Sequence, residues 1–267
     1  MIEAAFGLEW TAWPDPVSGA LRLQVLLRGK PATLELEAGG FELGAAFDDV
    51  RFDGEGGIYR PADLVPGEGH DLYTLRRYLE LRAGSQALLV VSEQIPLVSL
   101  GGLRLLEWSS APPEPLDPAF FLAFTNAWRT NFPQWSSGDF EFDFALLPHA
   151  AALGGAEIEQ RALELLRPLR ALALPAGGSD WPVNRSLLEL HGDAELLGIR
   201  AAADGADLLL LRQASGAITA ASVCVDGQAV LLGATDLRGW PAPESWTFSP
   251  ALGPWKIRGF IRARGSP

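Results

Sequence analysis

The stretch FFLAFTNAWRTNFPQWSSGDFEFDFALLPH, residues 120–149, holds the densest concentration of aromatic and amide side chains in the sequence. Within it, FEFDF at residues 140–144 alternates apolar and acidic side chains with a period of two. Successive side chains of a β-strand point to opposite faces, so this period predicts a strand with one buried face. Other segments alternate in the same way, and together they indicate antiparallel β-structure.

The first half of the stretch predicts a loop, because Asn131-Phe132-Pro133 interrupts any regular element. Aromatic rings stack on the C–H faces of sugars, and amides bond hydroxyl groups as donors and as acceptors. The loop is therefore a candidate carbohydrate site. Two alternatives stay open: the Trp side chains belong to the core, and Asn131 only caps the loop backbone. The candidate site residues are Asn126, Trp128, Thr130, Asn131 and Trp135.

The composition of the 267 residues restricts the class of protein. The formal net charge of −12 disfavours binding to nucleic acid or to an anionic membrane, since phosphate binding needs a basic surface. Cys224 is the only cysteine, so no internal disulfide forms. The acidic start and the short apolar runs predict neither a signal peptide nor a membrane span. These features indicate a soluble cytoplasmic protein with a neutral ligand.

The order of the elements predicts an all-β chain with one short helix. The single helical pattern covers residues 157–166, where good helix formers are followed by Pro168. The glycine-rich residues 176–179 indicate a linker. We therefore expect a large β domain at residues 1–178 and a small C-terminal β-sandwich at residues 179–267.

Three local expectations depend on turn residues. The alternating residues 33–37 predict a strand that ends at Gly39-Gly40. The acidic, glycine-rich residues 47–57 predict a solvated loop; a calcium site is an alternative, although the spacing does not match an EF-hand. Residues 103–108, which follow Gly101-Gly102, predict another strand.

The same stretch resembles the region after the catalytic domain in family 38 of the glycoside hydrolases, the α-mannosidases. The resemblance rests first on an Asn-x-Trp-x-Thr-Asn segment at residues 126–131, followed by Gly138 and the alternating strand. It rests second on LLGIRAAADGADLLLLRQASG, residues 196–216, where a leucine-rich strand ends in Arg212. One position departs from the family: Thr125 stands where members carry the first of two asparagines.

The resemblance implies a mutarotase-like β super-sandwich followed by a smaller β-sandwich, and a role beside a catalytic α/β barrel. In the family that barrel holds the zinc ion, so no cofactor is expected in this chain. The partners it implies are the barrel, as a domain or a chain, and a mannose-type sugar. His191-Gly192-Asp193 spells the family's His-x-Asp zinc motif, but it lies in the small β region, and we interpret it as coincidence.

Two other functions remain as alternatives. An aldose-epimerase-like enzyme needs a general acid and a general base in one cleft, with His70, His149 and Glu141 as candidates. A purely structural domain would use exposed apolar side chains to form a homo-oligomer.

Overall fold

The computed structural model describes residues 7–32, 38–54, 57–126, 136–167, 188–202, 206–213, 217–238, 246–252 and 256–262. The chain divides into two compact units, Met1–Leu153 with Gln160–Pro168, and Gly154–Glu159 with Leu169–Pro267. The predicted domain boundary, between residues 178 and 179, lies outside the described residues. Every strand pairing among the described residues is antiparallel.

The first unit contains a seven-stranded sheet, in the order β1-β2-β11-β8-β7-β4-β5, and a four-stranded sheet, in the order β3-β10-β9-β6. A 3-10 turn lies at Pro61–Asp63. The strands are β1 (Gly7–Pro14), β2 (Leu21–Lys30), β3 (Ala38–Leu43), β4 (Asp49–Gly54), β5 (Gly57–Tyr59), β6 (Tyr73–Thr74), β7 (Tyr78–Ala83), β8 (Gln86–Val91), β9 (Leu97–Leu100), β10 (Ala119–Thr125) and β11 (Gly138–Ala150).

The core of the first unit lies between these two sheets, and β11 supplies its centre. Phe142 and Phe144 are buried, whereas Glu141 and Asp143 on the alternate positions are exposed. Phe142 contacts Phe41 of the opposite sheet edge to face, with ring centroids 5.6 Å apart. Phe144 contacts Phe41 and Phe121 in the same way, at 6.0 and 5.6 Å. The predicted strand with one buried face is therefore confirmed.

One α-helix, α1 (Gly155–Leu166), follows, and the division between the units runs through it. It begins two residues before the predicted start and ends where predicted. Its buried apolar side chains are Ile158, Ala162 and Leu165, one per turn along one face. In the described part of the chain, no helix has the length and apolar character that crossing a membrane requires.

The second unit is a smaller β-sandwich. Its sheets have the orders β12-β16-β17, β13-β14-β21-β18-β19 and β15-β20, and their apolar faces enclose Leu209, Leu211, Val223 and Phe260. The all-β prediction is confirmed. The strands are β12 (Leu188–His191), β13 (Ala194–Ala201), β14 (Asp207–Gln213), β15 (Thr219–Ala220), β16 (Ser222–Val225), β17 (Gln228–Ala229), β18 (Leu232–Thr235), β19 (Trp246–Thr247), β20 (Ala251–Leu252) and β21 (Ile257–Arg262).

Three local expectations were wrong, as far as the described residues test them. Residues 103–108 contain a turn at 105–106 and no strand, and Leu106 has a positive φ of 59°. Residues 47–54 are not a solvated loop, because Phe47 and Asp53 are buried and β4 pairs with β5. Gly39-Gly40 does not end a strand, since both glycines lie inside β3. Residues 33–37 lie outside the described residues.

Candidate functional site

The predicted Asn/Trp loop leaves the four-stranded sheet at the end of β10. Asn126, the first residue after β10, is buried. The other four candidate residues, Trp128, Thr130, Asn131 and Trp135, lie outside the described residues, so their role stays a prediction.

Lys30, at the end of β2, lies where the chain returns from this loop. Its side chain is only 1% exposed, and Nζ donates a hydrogen bond of 2.6 Å to the carbonyl oxygen of Ser136. The ammonium lies 4.5 Å from the ring centroid of Phe124 and 5.8 Å from that of Phe140. Burial lowers the pKa of Lys30. Sequence reasoning missed this residue, because Lys30-Pro31 indicates only a turn.

The acidic side chains of the alternating strand form a ladder with two amides. Gln24 Nε2 donates to Glu141 Oε1 at 2.7 Å and to Asp143 Oδ1 at 3.3 Å. Gln94 Nε2 donates to Asp143 Oδ2 at 3.3 Å, and its Oε1 accepts the Asp143 backbone N–H at 2.9 Å. The Asp143 carboxylate is therefore held by an amide on each oxygen.

A cavity of about 580 Å³ opens beside this ladder, within the first unit. Trp13 of β1 contributes an indole that is 43% exposed. Val91 and Ala145 line the cavity from the sheet, and the end of α1 contributes Leu165 and Leu166. The polar lining residues are Asp15, Arg22, Glu93, Gln94 and Asp143.

Asp15 and Arg22 stabilise the turn between β1 and β2, and both side chains are engaged in hydrogen bonds there. Asp15 accepts hydrogen bonds from Ser18 Oγ at 2.7 Å and from the Val17 N–H at 3.1 Å. These bonds, led by the Ser18 hydroxyl, lower the pKa of Asp15 to about 2. Arg22 donates to Asp15 Oδ2 through Nε and Nη2, and to the Leu165 carbonyl through Nη1 at 2.9 Å.

Two of the three residues considered for acid–base catalysis, His149 and Glu141, are not brought together. His149 and Glu141 share one face of β11 but lie eight positions apart, which is about 26 Å at roughly 3.3 Å per residue. His149 Nε2 lies 3.5 Å from Glu80 Oε1, and Glu80 is buried and bonded to Arg51. His70 Nδ1 lies 3.0 Å from the Tyr73 hydroxyl. His149 and Glu141 therefore do not form the acid–base pair that the epimerase alternative would need.

The His191-Gly192-Asp193 motif begins at the last residue of β12 and continues into an exposed bend. His191 Nε2 is 3.7 Å from Glu189 Oε2, and both side chains are largely exposed. Within the described ranges, no three His, Cys, Asp or Glu side chains lie close enough to bind a metal ion together.

A large antiparallel sandwich followed by a smaller one defines the fold of this chain. The same fold occurs in the crystal structure of an α-mannosidase from Enterococcus faecalis V583, with a TM-score of 0.70 at 11% identity. That match covers 96% of this chain and 29% of the mannosidase chain. A protein in glycosyl hydrolase family 38 from Enterococcus faecalis matches with a TM-score of 0.59 at 10% identity, over 94% of this chain and 27% of that one.

These similarities confirm the predicted resemblance at the level of the fold. The chain spans less than a third of the length of either protein. No family model and no curated protein sequence matches it.

Proposed function

We propose that this chain is the non-catalytic β region of an α-mannosidase-like glycoside hydrolase of family 38. It packs on a catalytic α/β barrel and helps to shape the sugar site. The observation that carries the proposal is the match itself: 96% of this chain aligns with 29% of a mannosidase. The two sequence segments that resemble the family occur in the family's order, which supports the same conclusion.

In this proposal the Asn/Trp loop contacts the barrel or the sugar. It begins at the buried Asn126, and the chain that follows it is fixed by the Lys30 bond to Ser136. Contacts at both ends of a loop lower the entropic cost of ordering that loop on a partner. Trp128, Thr130, Asn131 and Trp135 are the side chains proposed to meet the partner.

Zinc belongs to the barrel in this proposal, and the substrate is a mannose-type sugar. The acidic net charge and the single cysteine favour the cytoplasm. An epimerase on this chain is less well supported, because His149 and Glu141 lie far apart along β11.

The test compares three preparations in hydrolysis of 4-nitrophenyl α-D-mannopyranoside with zinc. These are this chain alone, the α/β barrel encoded in the same reading frame or beside it, and the two together. We expect hydrolysis only from the combination, and a lower kcat/KM in Trp128→Ala and Trp135→Ala. Trp10→Ala, which removes an exposed indole on β1, is the matched control. Hydrolysis by this chain alone, full activity of the barrel without it, or the lack of any encoded barrel would each overturn the proposal.

A further inference from the structure

We propose that the cavity beside Trp13 binds a neutral pyranose, such as the terminal residue of an oligosaccharide. This site lies wholly on described residues of the first unit, so it stands independently of any catalytic partner. Its volume of about 580 Å³ is in the range of small-molecule pockets, roughly 300–1,000 Å³.

Trp13 supplies the flat apolar surface that a sugar ring needs. On the edge strand β1 it pairs with Arg22 of β2, so it lies on the outer face of the sheet, with Gln24 and Asp143. Trp10, three positions earlier, pairs with Val25 and lies on the opposite face. The Trp13 indole is therefore turned toward the cavity and is open to stacking on the C–H face of a pyranose.

Asp143 supplies oriented acceptors for sugar hydroxyl groups. A carboxylate has about four acceptor positions, two on each oxygen. Gln24 and Gln94 each occupy one position on a different oxygen. These two hydrogen bonds fix the Asp143 carboxylate and leave a second acceptor position on each of its oxygens. Glu93, exposed in the same lining, adds another acceptor.

The same contacts argue for a neutral ligand rather than an ion. All three nitrogens of Arg22 are engaged by Asp15 and by the Leu165 carbonyl, so its guanidinium is committed to the fold. Because the charge of Arg22 is paired with Asp15 and the lining carries two further carboxylates, Glu93 and Asp143, the cavity disfavours an anionic ligand. Among the described residues, no acidic cluster has the geometry of a metal site. The aromatic face and the two leucines suit the C–H groups of a polyhydroxylated ring, and the fixed acceptors suit its hydroxyl groups.

The test is calorimetric titration of the full chain with three probes: methyl α-D-mannopyranoside, methyl α-D-glucopyranoside and methyl β-D-galactopyranoside. We expect saturable binding of at least one probe, with Kd on the order of 1–10 mM because a monosaccharide makes few contacts. Trp13→Ala should weaken that binding at least about tenfold, and Asp143→Asn about three- to tenfold. Trp10→Ala, on the other face of β1, should leave Kd unchanged. A separate titration with calcium chloride should give no binding.

Three results would overturn the inference. They are the lack of saturable binding by all three glycosides, equal loss of binding in Trp13→Ala and Trp10→Ala, and calcium binding that Asp143→Asn abolishes. Because Trp13 is on an edge strand and nearly half exposed, its truncation should not prevent folding, and a thermal melt of each variant checks this. The titration needs no catalytic barrel, so a negative titration does not contradict the mannosidase proposal. Likewise, a negative hydrolysis test does not contradict the binding of a pyranose in this cavity.

Discussion

Arg212 contacts Glu195 through two of its nitrogens, with Nε at 2.9 Å and Nη2 at 2.7 Å from Oε2. Nη2 also lies 2.6 Å from Oε1 of Glu159. All three side chains are buried within the second unit. The arginine that ends the leucine-rich strand in the family resemblance therefore holds two carboxylates in the interior of this unit.

Replacing Arg212 should destabilise the second unit strongly. In Arg212→Met, two buried carboxylates lose this cation, which costs about 3–5 kcal/mol. The matched control is Arg262→Met, because Arg262 bonds Asp207 at 2.7 Å in an exposed pair worth less than about 1 kcal/mol. Chemical unfolding of both variants gives the two free energies. Equal effects would contradict a structural role for the buried cluster.

Lys30→Met should loosen the chain that follows the Asn/Trp loop. The variant removes the charged donor to the carbonyl of Ser136, which is itself exposed, so the loss is that of one charge-assisted hydrogen bond, about 1.5–3 kcal/mol at most. Unfolding experiments measure this loss, and the rate of trypsin cleavage after Arg129, inside the loop sequence, should rise. Lys256→Met, at an exposed lysine, is the control. Unchanged cleavage in Lys30→Met would show that the ammonium does not hold the loop.

Asp15 should make stability depend on acidic pH. Its pKa is lowered from 3.8 in the unfolded chain to about 2 in the folded one, chiefly by the Ser18 hydroxyl. The carboxylate therefore contributes stability above about pH 4, and this contribution is lost as the pH falls toward 2. The stability difference between the wild type and Asp15→Asn should thus be largest near neutral pH and shrink over that window.

Ser18→Ala removes the largest cause of the shift, so it should reduce the pH dependence attributed to Asp15. Unfolding in denaturant at a series of pH values measures both variants. A difference between the wild type and Asp15→Asn that stays constant from neutral pH to about pH 2 would contradict the assignment.

Asp53→Ala should destabilise the first unit, and calcium should not stabilise the wild type. Asp53 is fully buried; Arg77 Nε donates to its Oδ2 at 2.7 Å, and Arg76 Nη2 to its Oδ1 at 3.1 Å. Breaking such a buried pair costs about 3–5 kcal/mol. The exposed Asp48 is the control, and Asp48→Ala should change stability by less than about 0.5 kcal/mol. A rise in Tm with millimolar calcium would support the calcium alternative instead.

The sequence predicted the strands that have one buried and one exposed face. Phe142 and Phe144 alternate with acidic residues, so the pattern itself records which face is buried. The strand predictions failed at residues whose conformation is determined by tertiary contacts and not by their neighbours in sequence. Gly40 suggested a strand end, yet a Cβ there would collide with the Phe121 backbone, so the glycine is what lets the strands approach. Leu106 and Trp108 looked like a strand, but both are largely exposed.

The site was less predictable than the fold. Asn126 and Asp143 belong to the aromatic-rich stretch 120–149, but Trp13 of β1, Gln24 of β2 and Gln94, which follows β8, are far from it in sequence. Only the pairing of β2 and β8 with β11 brings these side chains to one face. No local pattern records such a pairing, since each strand alternates independently of its neighbours.

The position of β11 has a consequence for synthesis on the ribosome. This strand lies between the β1–β2 hairpin and β8, so the seven-stranded sheet exists only as two separate pieces until β11 emerges. Glu141 follows its partner Gln24 by 117 positions. At about 5–20 residues per second, the hairpin waits roughly 6–23 s for that strand. During this interval the edge of β2 that pairs with β11 is open to pairing with other nascent chains.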